Sequence, residues 1–458
     1  MTDSCHHCDE FSRATLVRKA AAEAGRGLPA IEPGMPLPAG TGLDRRTFVT
    51  GTLGLALSVY GLGKLGLFEE GIAQAASGPA KPVLVSVFLP GGTDSLSVLY
   101  PALDDTYRKL RPKLALDASA GPQFTEDTRL YWHPSLKPLA TLHGEKKVTV
   151  LPAVGYTHPD QSHFTSRHFW EVGATDARVA SGWMGRYLDR VGSKDNPLQG
   201  LSLDYQLQPS LASTKVPVAS LASPNEYTFW APGVWGEVES RMLAALRPLG
   251  ARRSDPILNQ AAKAAAQSDR LRRQLVPFAA GSQKGFGSPV AYPDVDDGFP
   301  KQLAGLAAML AANLPLRCIA ITAPGAYDTH SEQPQALAEG LDVTARSLFA
   351  FQRDLEARGL ADRVLTLVWS EFGRRAEENG SDGTDHGAAG SAFLIGTRVR
   401  GQMIGEFPGL KNLDEDGNLR PTSDFRGLYS ALLEQWLGAD AGGIIPSARS
   451  FARPALLA

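Results

Sequence analysis

The sequence predicts an α/β fold built on a mostly parallel sheet, and three observations carry that expectation. VLVSVFL (83–89) is a continuous apolar, β-branched-rich run of the kind that forms a strand buried on both faces. Between LRCIAIT (316–322) and RVLTLVWS (363–370) lies a long stretch in which Leu337, Leu341, Val343, Leu348, Phe351 and Leu355 recur near helical spacing. A strand-helix-strand unit of this kind makes its two strands parallel. The apolar runs also pass repeatedly into polar, glycine-rich loops, as at PGGTDSLS.

Taken in order, the strands expected are 83–89, KVTVLPAV (147–154), 316–322, 363–370 and SAFLIG (391–396). A helix is expected at 301–313, ahead of the strand-helix-strand unit. Residues 200–300 carry proline, serine and aromatic residues, with helical pieces near 236–248 and 257–275. That segment is expected to be an insertion or cap on the main sheet. Residues 80–458 then make one α/β domain, which composition allows: 43% of the chain is hydrophobic and 21% charged. A formal net charge of −2, with no basic stripe, gives no electrostatic case for a nucleic-acid partner. The three cysteines are Cys5, Cys8 and Cys318, so no disulfide framework is available to the body of the chain. Cys318, in an apolar run, is expected as a small core residue.

Residues 1–44 are expected to be an extended N-terminal region and 45–76 a signal segment. Asp44-Arg45-Arg46-Thr47-Phe48-Val49 precedes TGTLGLALSVYGLGKLG, and Ala73 to Ala75 supply a small-residue cleavage pattern. This resembles a twin-arginine leader, with Asp44 where Ser or Thr is usual and Val49 where Leu is usual. The apolar run is interrupted by glycines and Lys64, short of the roughly 20 residues of a stable span. The expected partner is therefore the twin-arginine export machinery. The mature protein is expected outside the cytoplasm (periplasm, envelope or beyond) with no stable membrane span. Cys5-His6-His7-Cys8 has metal-binding residue types, but neighbours in a row do not easily wrap one ion, and it is taken as incidental.

Four strands deliver chemistry just past their C-terminal ends. The first leads to Asp94 and Ser95, the second to His158, Asp160, Ser162, His163 and His168. The third leads to Asp328 and His330, the fourth to SEFGRRAEENGSDGTDHG with Glu371, Arg374, Asp385 and His386. In an open parallel sheet those ends line one edge, where ligands bind. Carboxylates and imidazoles without thiolates are donors for a hard or borderline divalent cation, with imidazole favouring Zn, Mn or Fe over Ca or Mg. The metal ligands expected are Asp94, Asp328, His330, Glu371, Asp385 and His386, around one or two divalent ions drawn from Zn, Mn, Mg or Ca. Two ions would clamp the attacking and leaving oxygens of a phosphoryl or similar transfer. Ser162, at the start of a helical pattern, is either a cap or a nucleophile activated by a metal. His163 is a ligand, a general acid or a core residue, and Arg374 an oxyanion stabiliser or a structural arginine. His133, His143 and His168 are expected to be structural. The chain shows no G-x-S-x-G elbow, dinucleotide fingerprint or P-loop.

VFLPGGTDSLS, SHFTSRHFWE, GWMGRYL (182–188), YDTHSEQ, SEFGRRAEENGSDGTDHG and FPGL (407–410), in this order, resemble a family of exported bacterial proteins, domain-of-unknown-function family 1501. That family is similar in pattern to the alkaline phosphatase and sulfatase superfamily. The resemblance implies a three-layer, alkaline-phosphatase-like sandwich with a two-metal site at the sheet's C-terminal edge. It places Asp94 as a strand-end metal ligand, Asp328 with His330 as a later ligand pair, His386 as the last histidine ligand and Ser162 at the nucleophile. Glu371 falls where the superfamily has an aspartate followed by histidine, and Phe372 stands in that histidine's place. The function implied is an exported metal-dependent hydrolase of phosphate or sulfate esters, acting on a small-molecule or polysaccharide ester. The alternatives are a water-attack enzyme in which Ser162 only caps its helix, and a non-catalytic exported binding protein on the same scaffold.

Overall fold

Each apolar run becomes a strand because its backbone hydrogen bonds must be paired once both faces are covered. The computed structural model describes residues 57–60, 81–194, 196–223, 241, 275 and 286–458. Its strands are β1 (Leu57–Tyr60), β2 (Val83–Phe88), β3 (Leu99–Tyr100), β4 (Tyr131–Trp132), β5 (Val148–Gly155), β6 (Gly200–Leu203), β7 (Val218–Leu221), β8 (Cys318–Thr322), β9 (Val364–Trp369), β10 (Gly390–Ile395) and β11 (Ser423–Asp424). Nine of them form one sheet in the order β1-β7-β6-β8-β2-β9-β10-β5-β11, and β3 and β4 pair separately. Strand β2 lies between β8 and β9 and is parallel to both, with Leu84 opposite Cys318 and Leu365.

The sheet is mostly parallel, with one reversal inside it. The SAFLIG strand β10 runs antiparallel to both β9 and β5. No crossover helix separates β9 from β10, so the chain simply folds back along its neighbour. The reversal leaves β5 and β9 pointing the same way. The C-terminal ends of β2, β5, β8 and β9 therefore share one edge.

Successive residues of β2 serve opposite layers. Val83, Val85 and Val87 pack with Leu139, Leu306 and Leu341 of the helices Lys137–Gly144, Gly298–Ala311 and Gln333–Ala357. Leu84 and Phe88 pack with Trp170, Leu188 and Tyr429 of the helices His163–Val172, Trp183–Val191 and Phe425–Ala431. Three layers result, and covering both sheet faces is what made the strand sequences continuously apolar. Each such fully buried side chain contributes roughly 1.5–3 kcal/mol of transfer free energy.

Helix His163–Val172 matters most for the site. Its Trp170 ring stacks on Trp369 of β9 at 5.3 Å and on Phe425 at 4.8 Å. Tyr156 Oη, just after β5, lies 2.6 Å from Ser166 Oγ. The helix stops at Gly173, whose φ of 63° lets the Ala174 N–H turn back to the Phe169 carbonyl.

The insertion expected over 200–300 does not begin at residue 200, because Gly200–Leu203 and Val218–Leu221 belong to the central sheet. At four residues each, and containing serine, these strands are too short to register as apolar runs. The helical pieces near 236–248 and 257–275 fall almost wholly outside the described residues. So do Cys5-His6-His7-Cys8 and the arginine pair. Leu57–Tyr60, within the expected signal segment, pairs antiparallel with Val218–Leu221. No helix among the described residues is long and apolar enough to cross a membrane.

Cys318 is a fully buried core residue on β8. His133 is buried beside the start of a short helical turn and accepts the Ser135 N–H at Nδ1. Burial pushes the His133 imidazole down from 6.5 to about 4. Since the folded protein resists protonating this ring, its stabilising contribution is complete above pH 6.5 and is lost as pH falls from there toward 4. The full difference is worth roughly 3 kcal/mol. Replacing His133 with Asn should remove that part of the acid sensitivity: urea midpoints at pH 7.5 and 4.5 should lie closer together in the variant than in the wild type.

Candidate metal centre

Three loops at the shared strand edge bring three imidazoles onto one carboxylate. His163 opens the helix that follows β5, Asp328 and His330 lie in the loop after β8, and His386 lies in the loop between β9 and β10. His163 Nε2 stands 3.3 Å from Asp328 Oδ2. His330 Nε2 and His386 Nε2 stand 3.1 and 3.3 Å from Asp328 Oδ1, and 2.9 Å from each other. His163, Asp328 and His386 each offer a ligand atom within 4.8 Å of the others'.

The opposite nitrogen of every ring is held. His163 Nδ1 is 2.9 Å from Glu371 Oε1, His330 Nδ1 is 3.2 Å from Asp385 Oδ1, and His386 Nδ1 is 2.8 Å from the Gln161 carbonyl. A carbonyl or a carboxylate only accepts, so each Nδ1 carries its hydrogen and donates it. The three Nε2 atoms then face Asp328, and those of His330 and His386 also face each other. Rings pinned at one nitrogen and convergent at the other are the arrangement of metal-binding histidines.

The electrostatics point the same way. Burial alone would lower the His163 pKa, but Asp328 and Glu371 outweigh it and lift the ring to about 9. Burial would raise the Asp328 carboxyl, yet His163, His330, His386 and Arg374 hold it far below the usual range. Burial lowers the His386 pKa, against the pull of Asp328. The cluster attracts positive charge, and His163 Nε2 is buried without an aligned hydrogen-bond partner. The residues present therefore fit a cation.

Glu371 reaches this cluster through its partner and not as a donor at its centre. Its carboxylate accepts from the Gly91 N–H at 3.0 Å, the Gly92 N–H at 3.1 Å and Ser370 Oγ at 3.0 Å, besides His163. Successive backbone N–H groups of this kind form an anion-binding concavity. Both glycines have positive φ, 116° and 74°. A Cβ on Gly91 would lie 2.4 Å from the Asp328 nitrogen, and one on Gly92 2.2 Å from the Phe372 ring. No other residue fits either position. Desolvation opposes the ionised form of Glu371, but His163 and backbone bonding hold its pKa below the usual value.

Other expected site residues are engaged elsewhere. Asp94 is fully buried and faces Arg111, with bonds of 2.5 and 2.8 Å to its guanidinium, 2.6 Å to Ser97 Oγ and 2.6 Å to Gln333 Nε2. Burial opposes its charge, but Arg111 holds the carboxyl below its ordinary value. The structure does not bring Asp94 to the imidazoles. Arg374, buried, donates to the carbonyls of Gly91, Gly92, Tyr327 and Thr384 and to Asp328 Oδ1 at 2.5 Å. Its charge helps hold the Asp328 carboxyl ionised. Asp385, half exposed, orients His330. Ser162 occupies the N-cap position, but its side chain makes no cap hydrogen bond. It sits between Gln161 and His163, both of which touch the cluster. Phe372 lies 4.9 Å, centroid to centroid, from both His163 and His386 and closes that flank.

Sequence reasoning missed Arg111, the Gln161 carbonyl and the Gly91-Gly92 pair as parts of the site. The doubled glycine at a strand end was the available signal for the last of these. Nothing in the local pattern marks Arg111.

Fold and site together define an α/β protein carrying a histidine-carboxylate centre on the carboxyl edge of a mostly parallel sheet. The chain belongs to the family described as "Protein of unknown function (DUF1501)", whose model matches residues 159–423. No curated protein matches the chain. Among solved structures, the C-terminal periplasmic domain of EcEptC from Escherichia coli, in complex with Zn, overlays with a TM-score of 0.35 at 8% identity, covering 78% of this chain and 82% of that one. The phosphonate monoester hydrolase SpPMH from Silicibacter pomeroyi gives 0.31 at 11% identity, covering 81% and 75%. Ps i-CgsB in complex with k-i-k-neocarrahexaose gives 0.34 at 10%, covering 81% and 77%.

If Asp94 serves the fold, Asp94→Ala should cost about 3–5 kcal/mol of unfolding free energy, the penalty for stranding a buried guanidinium. The folded variant should still take up zinc. Unchanged stability with lost zinc uptake would make Asp94 a ligand instead.

Proposed function

We propose that the protein is an exported, metal-dependent hydrolase of phosphate or sulfate esters. The observation that carries this reading is the convergence of three Nδ1-pinned imidazoles on Asp328 at the carboxyl edge of the sheet. His163, Asp328 and His386, with His330 beside them, would hold the cation. A bound cation supplies Lewis-acid charge and lowers the pKa of a hydroxyl or water beside it. Ser162 provides the attacking hydroxyl. It stands at the N-terminus of the ten-residue helix His163–Val172, where the helix dipole favours an anionic group, and its side chain is not used to cap that helix. Gln161 and Glu371 keep the rings of His386 and His163 oriented. The substrate proposed is a small-molecule or polysaccharide ester.

A non-catalytic binding role is favoured by one set of observations. Asp94 is neutralised by Arg111, Arg374 is committed to protein acceptors, and Phe372 fills one flank of the cluster. The two roles separate in a turnover assay on zinc- or manganese-loaded protein with p-nitrophenyl phosphate, bis(p-nitrophenyl) phosphate and p-nitrophenyl sulfate. Metal-dependent hydrolysis that falls by about 100-fold or more in Ser162→Ala, with metal retained, supports a serine nucleophile. Retained turnover in that variant assigns the attack to water, and no turnover of any ester by loaded protein leaves the binding role.

Export rests on the Arg45-Arg46 pair in the leader pattern. Replacing both with Lys should leave the unprocessed chain in the cytoplasmic fraction of a bacterial host, whereas wild-type chain should appear outside it. Equal export of both would remove the twin-arginine route.

A further inference from the structure

We propose that the centre holds one cation and not two, in a donor set of His163 Nε2, His386 Nε2 and Asp328 with His330 beside them, and that Glu371 positions His163 without touching the ion. This rests on the reading of the cluster as a metal centre and deepens it.

A second cation needs a second set of anionic donors beside the first, and the structure spends the buried carboxylates Asp94 and Glu371 on other groups, while half-exposed Asp385 accepts from His330 and Asn379. Asp94 would have to supply a second ion. Both its oxygens are already taken by Arg111, and Ser97, Gln333 and the Leu96 N–H complete its shell. Glu371 is the other buried carboxylate at this edge. Its two oxygens accept from Gly91, Gly92, Ser370 and His163, which fills the sites a carboxylate offers. Arg374 delivers a positive charge to Asp328 Oδ1, while His163 faces Oδ2. Asp94 and Asp328 thus each already face a fixed guanidinium. Phe372, in contact with two of the rings, is apolar and offers no donor.

The first set is complete without them. His330 and His386 place Nε2 atoms 2.9 Å apart while both Nδ1 atoms donate to oxygen. Two ring nitrogens at that distance need a shared hydrogen or a cation against both. Two imidazoles and one carboxylate, with a third imidazole beside them, suit a borderline cation such as zinc, and supply too few oxygens for magnesium or calcium. The ring of His163 can contribute only if its Nδ1 hydrogen stays on the Glu371 side. That makes Glu371 a positioning residue.

The test is metal stoichiometry on the full chain after chelator treatment and reloading with zinc, by elemental analysis, with competition titration for affinity. Cobalt-loaded protein adds a visible absorption band intense enough to report four-coordinate geometry. One equivalent in the wild type is expected. Glu371→Gln keeps the side chain's shape but removes its charge and one of its two acceptor oxygens. It should still bind one equivalent, about 10–100-fold more weakly, with a changed cobalt spectrum. Two equivalents in the wild type would overturn the proposal while leaving a metal centre. No zinc uptake by folded wild type would overturn the metal reading itself. Unchanged affinity in Glu371→Gln would remove the positioning role, and complete loss in a folded variant would make Glu371 a ligand. Should Glu371→Gln fail to fold, His163→Ala decides the donor set: unchanged zinc affinity there excludes His163.

Discussion

The carboxylate of Glu371 is the constraint on which the site depends. It is buried, and an ionised group so placed persists only if its lone pairs are filled. Gly91 and Gly92 fill two of them from the end of β2, and His163 fills another from the helix after β5. One side chain at the end of β9 therefore ties three strand ends together. It also decides which nitrogen of His163 faces the cluster. The positive φ angles of the two glycines and their contacts with Asp328 and Phe372 follow from the same closeness.

A second buried network holds the remaining loops in register. Asp94 and Arg111 form a desolvated pair whose attraction must offset the cost of burying both charges. Gln333, at the start of the long helix, donates to Asp94 and accepts from Thr329 and Thr384. Arg111 also reaches the carbonyls of Arg375 and Ala376. The loop that carries Asp328 and His330 and the loop that carries His386 are thereby bound to the same helix and to the end of β2. Few rotatable groups are left loose around the imidazoles, which is what a preorganised centre requires.

The strands and the sheet edge were legible because burial on both faces leaves a composition that local sequence cannot hide. The reversal of β10 was not, since an antiparallel central strand is as apolar as a parallel one. Residue types around the site were legible too: Asp328, His330 and His386 come together as their positions after β8 and β9 implied. The division of labour among the carboxylates was not. Asp94 and Glu371 carry the same charge and the same strand-end placement as Asp328. What distinguishes them is Arg111, seventeen residues further along the chain from Asp94, and the two glycine N–H groups, 280 and 279 residues from Glu371.

The sequence by itself determined that this is an α/β chain with acids and imidazoles gathered on one edge of a mostly parallel sheet. Those features follow from residue hydrophobicity and from the geometry of parallel strands, which are local or topological properties. Only the tertiary structure decided that His163 meets Asp328, that Glu371 stands behind it, that Asp94 faces Arg111 and that Arg374 reaches Asp328 and backbone carbonyls. Whether a carboxylate binds a cation depends on what else neutralises it within a few ångströms. In a folded chain those neighbours come from distant segments.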